Sequence, residues 1–515
     1  MSANSAIYNP SQTTSAATGD GFSCPRLTTT GRLAITFTTA DKGMMVYDTT
    51  LNNLFIWNGT AWESVPASGD STNEQVIFND NGILAGDAGL TYNKAIQRLN
   101  VGPGIQIWRG QLQDAFSTAV GNTALAATLA GATGNTAIGY RSMYRSTTAN
   151  NCVSVGANAL SGLALTGNNN VAVGVSSLAT TANGYSNVGV GAFSLTSNIA
   201  NFENTAVGTE SLKNVAGNGN TAIGNQAGMG LGVTIGCVAV GSAALYAATG
   251  VNTGFYNIAV GYTAMQSSNA ISGADNIGIG RDTFRNLSSG IENIAIGRVA
   301  LNANATGNYN IAIGSTALNA CVVGATIGIG VEALLRLQNG GNNTAVGTSA
   351  LRELVSNSNN TALGYYAGRA VTGADVTAIG ANALALATTG FNNTAVGSNA
   401  MGFAVTTGAY NTAIGAGAGS NLTSGPSNVF IGNDCASTTT TGGQNICIGV
   451  GTRTSTNTIS NELCIGSSSG FVATNGAAAT YFATATTGAV VLGAAQGFIR
   501  INLNGTLVKI PVYGN

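Results

Sequence analysis

Asn135-Thr136-Ala137-Ile138-Gly139 is one copy of a phrase that recurs along most of this chain. It returns as Asn220-Thr221-Ala222-Ile223-Gly224, Asn360-Thr361-Ala362-Leu363-Gly364 and Asn411-Thr412-Ala413-Ile414-Gly415. The closing glycine occurs twenty-one times between Gly121 and Gly466, at steps of 16 to 20 residues with a mean of about 17. A short period kept over so many copies marks a solenoid, because one unit cannot bury its own apolar face and stacked units share a core.

With the glycine as position 0, each column has a physical meaning. Position −1 is aliphatic in all twenty-one units, and −3 is Thr, Val, Ile or Leu in every one, as in Thr136, Val171, Ile294 and Thr394. Position −2 is Ala, Gly or Ser in eighteen, with Phe430, Cys447 and Cys464 as exceptions. Large, small, large over three residues is the alternation of a strand. The branched pair at −3 and −1 is expected inside the coil. The small −2 column (Ala137, Ala206, Ala295, Ala395) is then expected outside, against another chain. Position −4 is Asn in fifteen units and +4 is Leu, Met or Phe in fifteen, including Leu125, Met143 and Phe284. Stacked Asn side chains can bond along a column, and the +4 residues are assigned to a second wall. The glycine supplies a bend without a Cβ penalty. The stretches between, rich in Gly, Ser, Thr and Asn, are outer loops.

This pattern resembles the head domains of trimeric autotransporter adhesins, and more closely the Asn-Thr-Ala-Ile-Gly-Tyr repeats of bacteriophage tail fibres. The matching residues are Asn135 to Tyr140 and Asn360 to Tyr365 with their copies. The resemblance implies an all-β fold, a left-handed parallel β-roll with three chains side by side. It covers residues 117–470, and twenty-one strands at about 4.8 Å would make a roll roughly 100 Å long.

The flanks fit the same expectation. Residues 26–66 hold two strands around a turn, then an Asn58-Gly59 hairpin signal between Trp57 and Trp62. They resemble a small β-module near the virion-proximal end of tail fibres. Residues 67–116 resemble a second module with a linker, and residues 1–25 are assigned to virion attachment. In 471–515, Asn504-Gly505 joins two apolar strands, a hairpin expected to cap the last coil.

Charged residues are 7% of the chain and net charge is −1, which leaves no basic footprint for nucleic acid. No apolar run approaches the ~18 residues of a membrane span. Met1 to Pro10 lacks the basic and apolar regions of a signal peptide, as expected for a virion protein made in the host cytoplasm. There is no His, so a Ser-His-Asp triad and an imidazole base are both excluded. The seven cysteines show no zinc spacing. Cys447 and Cys464 share position −2 in adjacent coils, where small apolar fillers are favoured over a disulfide. Glu203, Glu210, Asp275, Asp282, Glu292, Glu332 and Glu353 are scattered over different coils. They read as solubilising loop charges, with a paired-carboxylate, polysaccharide-cleaving spike as the enzymatic alternative.

The sequence therefore points to a homotrimeric tail fibre without cofactor or metal. Its expected partners are itself, other tail proteins and a host receptor, glycan or protein. A non-phage surface or injection-machine adhesin is the alternative. Receptor contact is placed first at the C-terminal tip, at Tyr481, Phe482 and Tyr513, and otherwise on the side loops.

Overall fold

The computed structural model describes residues 25–65, 116–126 and 132–467 apart from Leu163, and the backbone of strands in 74–108 and 470–513. The chain divides into two compact units, Met1–Asn293 and Ile294–Asn515. Among the described residues, helix is confined to Thr29–Leu33 and a 3-10 turn at Thr39–Asp41; all other regular structure is strand.

Each glycine-closed phrase forms a short strand. Ten lie in the first unit, from Thr118–Val120 to Ile277–Ile279, and eleven in the second, from Ile294–Ile296 to Leu463–Ser467. Within each unit neighbouring strands pair in parallel and in register, so that Ala172 lies beside Gly189 and Ala395 beside Ala413. The ladder continues around the bend. In one coil Thr394 N–H donates to Asn411 O (2.8 Å), Gly397 N–H to Ile379 O (2.7 Å) and Met401 N–H to Ala418 O (2.9 Å).

The glycine column is stacked as well as bent. Gly397 has φ +135°, and a Cβ there would lie 2.5 Å from the carbonyl carbon and oxygen of Gly415 in the next coil. Positions −5, +2 and +4 are also left-handed, and there the residue is usually not glycine. In this coil they are Asn392 (φ 53°), Asn399 (φ 56°) and Met401 (φ 46°). Leucine in that conformation costs roughly 1–2 kcal/mol. Burying the same side chain returns about 1.5–3 kcal/mol, which decides the balance at +4, where Leu160, Leu212 and Leu351 are fully buried.

The two faces of the strand are inverted relative to the sequence expectation. Ala137, Ala206, Ala295 and Ala395 are fully buried inside their own coil. Ile138 and Ile448 are each 39% exposed and Ile296 is half-buried, so the −3 and −1 side chains point outward. The physical reason is the narrowness of the coil. Position −2 faces the residues at +3 and +4 of the return wall, and little space separates them. A Cβ on Gly278 would lie 3.1 Å from Phe284 Cδ2, and one on Gly328 would lie 3.0 Å from Leu318 Cγ. Phe430 fits at −2 because Gly419 stands at +4 in the coil before; a Cβ on Gly419 would lie 2.7 Å from the ring. The backbone that enforces smallness at −2 belongs to the same chain.

The −4 asparagines form the buried ladder that their spacing suggests. Asn170 Oδ1 accepts from the Asn187 N–H (3.0 Å) and Nδ2 (3.1 Å), while Asn187 Nδ2 also donates to Asn201 O (2.8 Å). Cys152, Cys237, Thr326, Val376 and Glu462 replace Asn in this column. Each still donates its N–H to the asparagine before it, as Val376 does to Asn360 Oδ1 (3.0 Å). Cys447 and Cys464 are register partners, and both are buried free thiols.

Both open edges of the ladder are closed by antiparallel strands. Ile105–Trp108 pairs with Thr118–Val120, and Gly470–Gly476 pairs with Leu463–Ser467. The hairpin expected to cap the last coil, Ala495–Leu503 with Thr506–Tyr513, forms a two-stranded sheet of its own. In the N-terminal module, Arg26–Leu27 runs parallel to Met45–Asp48, which pairs antiparallel with Asn53–Trp57, and Asn53–Trp57 pairs antiparallel with Trp62–Ser64. Residues expected to extend the first strand are the helix Thr29–Leu33, because the Thr28 hydroxyl accepts the Gly31 N–H as an N-cap. The hairpin at Asn58 has a four-residue loop, closed by Asn58 Oδ1 accepting from the Thr60 and Ala61 N–H groups (both 2.8 Å).

Replacing Ala295 by Glu should therefore break the coil itself, since it places a charge among apolar walls, at a cost of about 4 kcal/mol or more. Circular dichroism and limited proteolysis should show local loss of β-structure. A well-folded chain that merely fails to associate would contradict the inward placement of this column.

Candidate self-association face

The outward columns carry the strongest signal on the surface. Across twenty-one coils, no charged residue occupies −3 or −1. Ordinary solvated strand positions admit Lys and Glu freely. Here, in the first unit, Ile138, Val207 and Ile223 are 37–44% exposed, and in the second Leu363 and Ile414 are 49% and 41% exposed. Stacked at strand spacing, each unit presents a charge-free stripe, aliphatic throughout at −1 and Val, Ile, Leu or Thr at −3. A monomeric protein seldom exposes a patch above a few hundred Å². The stripe is flat, charge-free and repeated in every coil, which suits it to bury against identical stripes.

Acidic residues sit elsewhere, at the left-handed corners. Glu203, Asp275 and Glu292 occupy −5; Glu210, Asp282 and Glu332 occupy +2. The three at +2 are engaged in ion pairs. Glu210 meets Lys213 (2.5 Å) and accepts from Gln226 (2.9 Å), and these two bonds hold its carboxyl below the usual range. Asp282 lies near Arg281 and Arg285 (3.5 and 3.6 Å). Glu332 and Glu353 are brought together by Arg352, with Glu332 at 2.8 Å from its Nε and Glu353 on its Nη1. Exposed pairs of this kind contribute ~1 kcal/mol or less. The tip candidates Tyr481, Phe482 and Tyr513 lie on strands Ala479–Ala483 and Thr506–Tyr513, and their side chains fall outside the described residues.

The N-terminal module holds an arrangement that sequence reading missed. Arg32 and Asp48 form a buried ion pair (Nε to Oδ2, 2.9 Å), with side chains 6% and 0% exposed. The guanidinium lies 3.6 Å from the Phe55 ring centroid. Asp48 also accepts from the Thr29 hydroxyl and the Thr50 and Leu51 N–H groups. Burial works to raise the Asp48 carboxyl, but the bond from Arg32 and those from Leu51, Thr29 and Thr50 outweigh it and hold it below the ordinary value. Phe37, Trp57 and Trp62 pack beside this pair with ring centroids 5.0–5.7 Å apart.

Residues 8–77 match the family described as a phage tail like trimerisation region. Neither a curated protein nor a solved structure matches the chain. The described fold is an all-β repeat, and the match at residues 8–77 likens the chain to trimeric phage tail fibres, with which the parallel β-solenoid that follows is consistent. Among the described residues, no helix is long and apolar enough to cross a membrane.

Two outcomes follow from this geometry. The double change Ile311→Glu and Ile313→Glu should leave coil structure intact by circular dichroism, yet lower the trimer dissociation midpoint by roughly 10 °C or more, because it collects six carboxylates at one level. Unchanged trimer stability would assign the stripe to solvent. Acid should loosen the N-terminal module: the Asp48 carboxyl is depressed on folding, so its contribution is full above its unfolded value of about 3.9 and is lost as pH falls through the lower folded value. Fluorescence of Trp57 and Trp62 should report this transition below about pH 4. In Asp48→Asn the transition should vanish, with the module already loosened at neutral pH.

Proposed function

We propose that three copies of this chain pack their strand stripes around a common axis to form the shaft of a phage tail fibre that engages the host cell surface. The charge-free outward stripe carries this reading, and the trimerisation match supplies its stoichiometry. Each solenoid then has a dry side against its partners and a polar side with corner carboxylates toward water. That division places the few charged residues, 7% of the chain, on the side facing water. Residues 1–25 dock on other tail proteins, and the β-modules through residue 116 start the trimer. Host contact falls to the C-terminal segment 471–515 and to the side loops, which vary in length where the inner columns do not. Weak sites suffice, because three chains per fibre multiply avidity.

Purified trimers should compete with phage particles for adsorption to host cells. Alanine at Tyr481, Phe482 and Tyr513 should weaken that competition several-fold while trimers persist in sedimentation. If wild-type trimers do not compete, host engagement is wrong; if the triple variant competes as well as wild type, the contact lies off the tip.

A further inference from the structure

The outer wall of the second unit changes character partway along the ladder. Position +5 carries Arg352 and Arg369 in successive coils, then Ala385, then Gly402. The loss of side chains there opens a cleft of about 260 Å³ between the +2 column and the wall beyond. Gly402 is obligatory, since a Cβ there would lie 2.3 Å from Asn382 O. Phe403, 58% exposed, stands at one margin, and Tyr366 lines the cleft with the Arg369 guanidinium 5.1 Å from its ring centroid.

The polar groups here keep most of their hydrogen-bonding capacity free among the described residues. Arg336 and Arg352, in the two preceding coils, are paired with carboxylates, whereas Arg369 has no carboxylate partner among the described residues. Asn382 and Asn399 stack at +2 with the cleft beside them. Asn399 reaches only the neighbouring Ser398 hydroxyl (3.3 Å), and the Asn382 amide makes no hydrogen bond among the described residues. Two amides offer donors and acceptors together, a guanidinium offers a planar fork of donors, and aromatic rings offer apolar faces with negative quadrupoles.

We propose that this cleft binds one pyranose unit of a surface glycan, preferentially one bearing a carboxylate. A pyranose matches the set: its C–H face lies on Phe403, its hydroxyls meet the Asn382 and Asn399 amides, and its carboxylate takes the Arg369 fork. The volume admits a single sugar, so each site is weak and three copies per fibre make it effective. The site is outside the strand stripe and stays open when the stripes pack together, so it rests on the assembly and host-engagement reading given above.

The test uses full-length trimers and saturation-transfer NMR with methyl glucuronide and methyl glucoside as probes. Binding of the glucuronide is expected, with at least tenfold weakening in Phe403→Ala and in Arg369→Ala. The glucoside should bind more weakly and be sensitive to Phe403→Ala alone. Both side chains are on the surface, so circular dichroism and sedimentation should match wild type. Absence of transfer to either sugar, or transfer unchanged in both variants, overturns the proposal. Dissociated wild-type chains in sedimentation would overturn the assembly reading alone, because the cleft is built within one chain.

Discussion

The narrow cross-section of the coil governs the rest of this structure. Inter-coil backbone bonds hold every turn at strand spacing, and the return wall comes so close to the strand that its inward residue must be Ala, Gly or Ser. Where that residue is larger, the facing wall gives up a side chain, as Gly419 does for Phe430. Where the wall is larger, the strand gives one up, as Gly278 does for Phe284. A core this thin has no room for branched side chains on the strand, so they are expelled to the surface in every repeat. The buried asparagine ladder then satisfies the backbone that the thin core leaves without water.

That expulsion connects folding to assembly. A chain whose outward strand positions are aliphatic or Thr, and never charged, folds into coils that are complete internally but carry an unsatisfied apolar stripe. In the proposed trimer, three stripes meeting on an axis supply the larger core that no single coil has.

Much of this was legible in the sequence. The period placed all twenty-one repeat strands, and the Asn column announced its ladder. The assignment of faces was not legible, because alternation at Thr136-Ala137-Ile138 defines two faces without saying which is inward. The usual preference for branched residues inside fails when a partner chain forms a second interior. Left-handed leucines at +4 left no signal either, since only their burial makes that conformation tolerable; at −5 the frequent Asn, Asp and Gly did hint at it. Arg32 and Asp48 escaped notice because a five-residue helix has no periodicity to read. The cleft beside Phe403 was visible only once the coils placed Arg369, Ala385 and Gly402 in one column.

The central claim is the orientation of each coil within the trimer, and a cryo-EM map of the assembled fibre with side-chain detail tests it most directly. The account requires the −3 and −1 side chains, such as Ile311 and Ile313, to line the threefold axis, with the alanines at −2 enclosed within each chain. A map with the left-handed corners or the outer loops at the axis, and the isoleucine columns facing solvent, would contradict it.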